Sequence, residues 1–323
     1  MKISIAMATY NGEQYIKEQL QSFVTQTCLP DEVIISDDCS TDDTESIVRE
    51  FEKVAPFTVA FHRNEKNLGY CGNFNAALMK ATGDLIFLSD QDDVWFPEKI
   101  EHMVRLAIRN PEALVLMNDA ALTDGQLNEV GLTKLGQIRS AGFNIENFVM
   151  GCCCAIRREL LDFCMPIPPG VKGHDNWLVQ FADGLHSKVV DSTVLQYYRR
   201  HECNESQFIV NQTKRVTRIH ALVDVLKPLF KENSVLIRQR DLQQFQIFLD
   251  GICRAEQVVP SVYKAQLESM KDVYQRKVIT SKRRLYIINK PLILRVLYIA
   301  GMFVGGGYRN ASGIRSAIKD IVG

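Results

Sequence analysis

The chain has 323 residues and is 46% hydrophobic, within the globular range and enough for one large domain or two ordinary ones. Its zero net charge hides two opposed halves: residues 1–210 carry 18 Lys and Arg against 30 Asp and Glu, and residues 211–323 carry 20 against 8. The nine cysteines contain no C-x-x-C pair, which excludes the common zinc sites, and the run Cys152-Cys153-Cys154 cannot build a disulfide framework, so reduced thiols in a cytoplasmic protein are expected.

Residues 3–8 are predicted to form a first strand, with no secretory signal ahead of it. Asn11, with Gln14 three residues on, is expected to cap a helix that carries Ile16, Leu20, Phe23 and Val24 on one face. Residues 33–36 read as a second strand, and Ser40-Thr41 as the cap of a helix ending near Lys53. A third strand follows at 58–62. Phe74, Ala77, Leu78 and Ala81 mark a helix that Gly83 closes. Residues 85–89 form a fourth strand, 97–109 a helix and 114–117 a fifth strand. This alternation predicts an α/β sandwich with a mostly parallel central sheet. Beyond it, residues 118–142 read as a long loop and 151–156 as a strand. A helix starts near Arg158, a Pro-rich loop covers 166–170, a helix starts within 173–177 and runs to Leu185, and strands lie at 189–190 and 193–198. From 211 onward the pattern is helical and basic, which predicts two domains, 1–210 and 211–323.

In such sheets ligands bind beyond the carboxyl ends of the strands. Three loops lie there: Ala8-Thr9-Tyr10-Asn11, Asp37-Asp38-Cys39-Ser40 and Ser89-Asp90-Gln91-Asp92-Asp93. Asp90 and Asp92 offer oxygen ligands, which suit Mg²⁺ or Mn²⁺. The competing use of Asp92 or Asp93 is to cap the helix after Pro97. Asp37 and Asp38 can accept hydrogen bonds from a base or ribose, or close a turn. Neither G-x-G-x-x-G nor G-x-x-x-x-G-K-[ST] is present, so a backbone phosphate cradle is not expected.

Ala8-Thr9-Tyr10-Asn11-Gly12-Glu13, Ser36-Asp37-Asp38-Cys39-Ser40-Thr41-Asp42, Asn67-Leu68-Gly69 and Leu88-Ser89-Asp90-Gln91-Asp92-Asp93-Val94-Trp95 together resemble glycosyltransferase family 2 over roughly residues 1–205. The stretch around Asp90 and Tyr198-Arg199-Arg200-His201 is similar to rhamnosyltransferase-like bacterial members. The resemblance implies a GT-A nucleotide-sugar-binding sandwich followed by a helical C-terminal region. It implies a dTDP- or UDP-linked sugar donor, a polysaccharide or lipid-linked saccharide acceptor, Mg²⁺ or Mn²⁺ as cofactor, and inversion at the anomeric carbon. No nucleic-acid partner is expected.

By the same resemblance Ala8, Thr9, Tyr10, Glu13, Asp38, Asn67 and Asp90 would bind the nucleotide sugar. Asp90 and Asp92 would form the D-x-D, with Asp92 the direct metal ligand. Arg199 would clamp the diphosphate and His201 would complete the metal shell; a solvated charge cluster is the competing reading of both. The family's base is often the Asp of a Glu-Asp pair at a helix start. Here that place reads His174-Asp175, so the base lies between Asp175 and His174, and a helix cap is the structural use of Asp175. The Gln-x-x-Arg-Trp string of processive members is absent, which favours single-sugar addition.

Lys282-Arg283-Arg284 precedes two apolar stretches, 285–288 and 292–304, too short to span a bilayer. This segment either lies peripherally in the inner face of the plasma membrane or packs on the catalytic domain. A non-catalytic nucleotide-sugar or polyanion-binding scaffold is the competing function. Such a scaffold needs no base.

Overall fold

The structure, a computed structural model, describes residues 1–201, 208–221, 234–311 and 313–322. The chain divides into two compact units, Met1–Ala221 and Leu222–Gly323.

The first unit is built on a nine-stranded sheet: β1 (Ile3–Thr9), β2 (Glu32–Asp37), β3 (Thr58–Arg63), β4 (Leu85–Ser89), β5 (Val94–Trp95), β6 (Val115–Thr123), β7 (Glu129–Thr133), β8 (Cys154–Arg157) and β9 (Lys188–Arg199). The spatial order is β3-β2-β1-β4-β8-β6-β9-β5, with β7 beside β6. β3, β2, β1 and β4 pair in parallel, as do β6 and β9, while β8, β7 and β5 run antiparallel to their neighbours. β2 and β4 are buried along their whole length because helices cover both faces, which is why Val33, Ile34 and Ile35 and Leu85, Ile86, Phe87 and Leu88 are uninterrupted apolar runs.

The helices are α1 (Ile16–Val24), α2 (Thr44–Glu52), α3 (Gly69–Lys80), α4 (Lys99–Arg109), α5 (Lys134–Ser140), α6 (Arg158–Cys164) and α7 (His174–Gly184). α1 buries Ile16, Leu20 and Phe23, spaced for one helical face, and Phe23 meets Trp95 edge-on at 4.9 Å. Trp95 is 2% exposed in the same core as Phe87 and Ile100, so truncating it to Ala would cost about 3–5 kcal/mol.

Three expectations need correction. Asn11 caps no helix: its φ is +45°, and its Oδ1 accepts from the Thr41 amide across the neighbouring loop, so α1 starts only at Ile16. Ser40 and Thr41 do not cap α2, which starts at Thr44 after Asp43; the Ser40 hydroxyl instead donates to Asp37 Oδ1 and accepts from the Asn11 amide. Residues 118–142 are not a loop. β6 runs on to Thr123, a turn centred on Asp124 leads into β7, and α5 follows. Asn118 and Asp119 look like loop residues but lie buried in β6, where Asp119 Oδ1 accepts from the Ala120 and Leu135 amides.

The described part of the second unit comprises α8 (Ser234–Ala255), α9 (Lys264–Ile288), α10 (Leu292–Val304) and α11 (Ile314–Val322). Residues 222–233 of the expected helical region lie outside the described residues. Ile287, Ile299, Met302, Tyr308 and Ala317 form a small core. Beside it the fully buried Asp320 accepts from Arg238 Nε and Arg284 Nε, both at 2.9 Å, and from the Tyr308 hydroxyl at 2.8 Å.

Candidate active site

The carboxyl ends of β1, β2 and β4 open into a cavity of about 1350 Å³, closed on its far side by residues 143–152 and by the start of α7. Ala8, Thr9, Tyr10, Asp38, Asn67, Asp90, Asp92, His174, Asp175 and His201 all line it. Glu13 and Arg199 do not.

On the side of the loops after β1 and β2, Asp38 is 3% exposed and its Oδ1 accepts from Asn64 Nδ2 at 3.0 Å and from the Leu68 amide at 2.7 Å. Asn67 Nδ2 donates to the Asp38 carbonyl at 3.3 Å. Thr9 donates to Asp37 Oδ1 at 2.9 Å, and its carbonyl accepts from the buried Asn73 amide at 3.0 Å. Asn73 therefore fixes the first loop from α3. Glu13 is spent on the start of α2: its Oε2 accepts from the Asp43 amide at 3.0 Å, and its own amide donates to Asp42.

The loop after β4 is tied down on every side. Gln91 Oε1 accepts from the Tyr10 amide at 2.9 Å, and Gln91 Nε2 donates to the Tyr10 carbonyl at 3.0 Å, a two-bond clamp between the loops after β1 and β4. The clamp requires Gly12, because an added Cβ there would overlap the Gln91 amide. His201 Nε2 lies 2.8 Å from Asp92 Oδ2. Arg199 is 3% exposed and sits behind the loop, with Nε donating to the Asp92 carbonyl at 2.8 Å, NH1 to the Gly125 carbonyl at 2.9 Å, and NH2 to Glu18. These bonds make it a brace for the loop, not a group aimed into the cavity.

Asp93 caps no helix, since the residue before α4 is Glu98. It is fully buried and accepts from Gln196 Nε2 at 3.0 Å and from the Arg199 amide at 3.3 Å. Below it Lys99, also fully buried, donates to Gln196 Oε1 and, at 2.8 Å, to the Cys152 carbonyl, with its ammonium 3.9 Å from the Trp95 ring centroid. Burial pushes the Asp93 carboxyl up to about 7, with repulsion from Asp92 adding and Lys99 opposing. Burial, then Asp93, Asp92 and Asp175, hold the Asp90 carboxyl well above the usual range.

Across the cavity from these loops, α7 begins with His174-Asp175. Asp175 Oδ1 accepts from the Asn176 amide at 2.7 Å and Oδ2 from the Gly151 amide at 3.2 Å. His174 is 5% exposed and stacks on Phe74 at 3.7 Å, with neither ring nitrogen hydrogen-bonded. Burial lowers its proton affinity and Asp175 opposes, so the imidazole is held toward its neutral form.

Among the described residues, Asp90, Asp93 and Cys152 bring ligand atoms within 4.8 Å of one another. That set does not suit Mg²⁺ or Mn²⁺: burial drives the Cys152 thiol well above its ordinary range, and a neutral thiol is a poor ligand for a hard cation. Asp90, Asp92 and His201 line the cavity, and of these His201 and Asp92 are in direct contact.

A family model described as Glycosyl transferase family 2 matches residues 4–164. The dTDP-rhamnosyl transferase RfbG of Shigella flexneri is 30% identical over 220 residues, covering 62% of this chain and 73% of that protein. The chain belongs to glycosyltransferase family 2. An uncharacterized glycosyltransferase of Nostoc sp. is 28% identical over 227 residues, 66% of this chain and 69% of the other. Among solved structures, S. aureus TarS 1–349 in complex with UDP superposes on this glycosyltransferase with a TM-score of 0.55 at 20% identity, over 88% of this chain and 90% of that one. The fold is the GT-A type.

Sequence reasoning passed over three residues that organise this glycosyltransferase's cavity. Gln91 stands as the unspecified letter of D-x-D. Asn73 reads as a donor contact or a solvated helix face, not as a tie between α3 and the first loop. Lys99, the first residue of α4, stands in no motif.

Proposed function

We propose that the protein transfers a sugar, rhamnose or a hexose, with inversion, from a dTDP- or UDP-linked donor to a polysaccharide or lipid-linked saccharide acceptor. The observation that carries this reading is the single cavity that faces Asp38, Asp90 and Asp92 on one wall and Asp175 on the other. The name of RfbG supports a dTDP-rhamnose donor, and the UDP bound in TarS supports a nucleoside diphosphate in a site of this fold.

Tyr10, Asp38 and Asn67 would hold the nucleoside, and Asp90, Asp92 and His201 would hold Mg²⁺ or Mn²⁺. When bound, the cation would neutralise the charge gained by the leaving diphosphate. Arg199 and Glu13 act at one remove, by fixing the loops. Asp175 accepts the proton of the acceptor hydroxyl as that oxygen attacks the anomeric carbon. Its two amide hydrogen bonds aim the carboxylate, and the neutral, stacked His174 forms the wall beside it. A lipid-linked acceptor requires the enzyme to work from the cytoplasm at the inner face of the plasma membrane.

The test is a panel of dTDP- and UDP-sugars with Mg²⁺ or Mn²⁺, scored by nucleoside diphosphate release with and without acceptor. Asp92→Ala is expected to lose metal-dependent turnover, and full turnover in that variant refutes the assignment. Asp175→Asn is expected to bind donor normally and to lose transfer by about 100-fold or more. Loss of donor binding instead would make Asp175 a structural cap.

A further inference from the structure

α10 is apolar on almost every side and yet uncovered. Of its side chains only Ile299 and Met302 are buried, whereas Ile293, Leu297 and Val304 are 80%, 64% and 89% exposed. Leu292, Leu294, Val296, Tyr298 and Phe303 are exposed as well. A helix of this kind belongs in a core or in lipid.

The charge around it is one-sided. Residues 273–319 hold ten Lys and Arg and not one Asp or Glu. Lys282, Arg283 and Arg309 are exposed. The next acid, Asp320, is fully buried and committed to Arg238, Arg284 and Tyr308, so it presents no negative charge outward. At the edge of the apolar face, Tyr286 and Tyr298 meet edge-on at 5.7 Å, and Lys290 Nζ lies 4.1 Å from the Tyr286 ring. Amphipathic rings beside a long cation suit the boundary between acyl chains and headgroups.

We propose that α10 and its flanking cations form an interfacial docking surface for an anionic phospholipid bilayer. Thirteen helical residues reach only about 20 Å, short of the ~30 Å hydrocarbon core, so the helix lies in the interface plane. In accord with this, no helix among the described residues is long and apolar enough to cross a membrane. A second copy is the poorer occupant, because it would set the same cations against themselves.

The experiment is co-sedimentation of the full chain with phosphatidylcholine vesicles, with or without phosphatidylglycerol. Wild-type protein is expected to pellet with the anionic vesicles and to be released by salt. Ile293→Asp with Leu297→Asp should lower partitioning at least about tenfold. Lys282→Glu with Arg283→Glu should lower it about tenfold or more on anionic vesicles only. In both variants the melting temperature and donor hydrolysis should be unchanged. Wild-type protein that stays in solution with anionic vesicles overturns the proposal, as do variants that pellet as well as wild type. Light scattering without vesicles that shows a dimer, lost in the Ile293→Asp, Leu297→Asp variant, assigns the face to a second copy and equally overturns it.

Discussion

Gly151→Ala tests the His174-Asp175 corner of the cavity with one methyl group. An added Cβ at Gly151 would stand 2.7 Å from His174 Nε2 and 3.5 Å from Asp175 Cβ. The first contact is about 0.7 Å too close for ordinary packing. His174 has little room to retreat, because its other face already stacks on Phe74 at 3.7 Å. The displacement therefore passes to the start of α7, which carries Asp175. Overpacking of this kind costs about 1–3 kcal/mol of stability. If Asp175 is the base proposed above, a shift approaching 1 Å at its carboxylate costs about 10- to 100-fold in turnover. The assay pairs kcat at saturating donor with calorimetric nucleoside diphosphate affinity and thermal melting. The expected pattern is a lowered kcat with nucleotide affinity within about threefold of wild type, since Tyr10 and Asp38 are fixed by Gln91, Asn64 and Leu68. A lowered melting temperature with full kcat would remove the His174-Asp175 corner from the reaction.

Lys99→Met leaves Asp93 buried without its nearby cation and strips a donor from Gln196 and from the Cys152 carbonyl, so urea unfolding should show a loss of about 3–5 kcal/mol. Adding Asp93→Asn should recover part of that loss, and strictly additive effects would refute the coupling. Lys134, 3% exposed, has its ammonium pushed by burial from 10.5 down to about 8. The unfolded chain therefore holds this proton more tightly, and the penalty is fully present below pH 8 and fades as pH rises to about 10.5. Wild-type stability measured against Lys134→Met should improve by about 3 kcal/mol across that window, and parallel pH curves would refute the assignment.

Elements whose burial shows in side-chain type were legible before the structure. The strands at β1, β2 and β4 are apolar runs of strand length, and α1 repeats its apolar residues at helical spacing. β6 was half legible: Val115, Leu116 and Met117 read as strand, but the buried Asn118, Asp119 and Thr123 imitate a loop; Asp119 and Thr123 find partners in α5 and β9, and Asn118 bonds the Asp119 carbonyl beside it. α1 and α2 begin later than their capping signals, because Asn11 and Ser40 bond across to each other's loops. A local rule cannot see a partner about thirty residues away. At the site, the strand-end rule located the converging loops, but not which polar side chains turn inward. Arg199 and Glu13 sit among the same motifs as Asp90 and Tyr10, and only tertiary contacts separate braces from cavity walls.

The third aspartate of Asp90-Gln91-Asp92-Asp93 shows why those contacts matter. A loop with three acids in four residues would spread if it were free, since each carboxylate repels the others. Asp93 turns inward to Gln196 and to the Arg199 amide on β9, with the Lys99 ammonium one hydrogen bond further on. Arg199 holds the Asp92 backbone, His201 meets the Asp92 side chain, and Gln91 is clamped to Tyr10. The inner half of the cluster thus has a protein cation and hydrogen bonds, whereas Asp90 retains the repulsion of Asp93, Asp92 and Asp175. Repulsion held at fixed geometry and facing a cavity is relieved by a cation without moving the loop. Lys99→Met should accordingly weaken the precision of the site along with its stability, because the acids would then be free to separate.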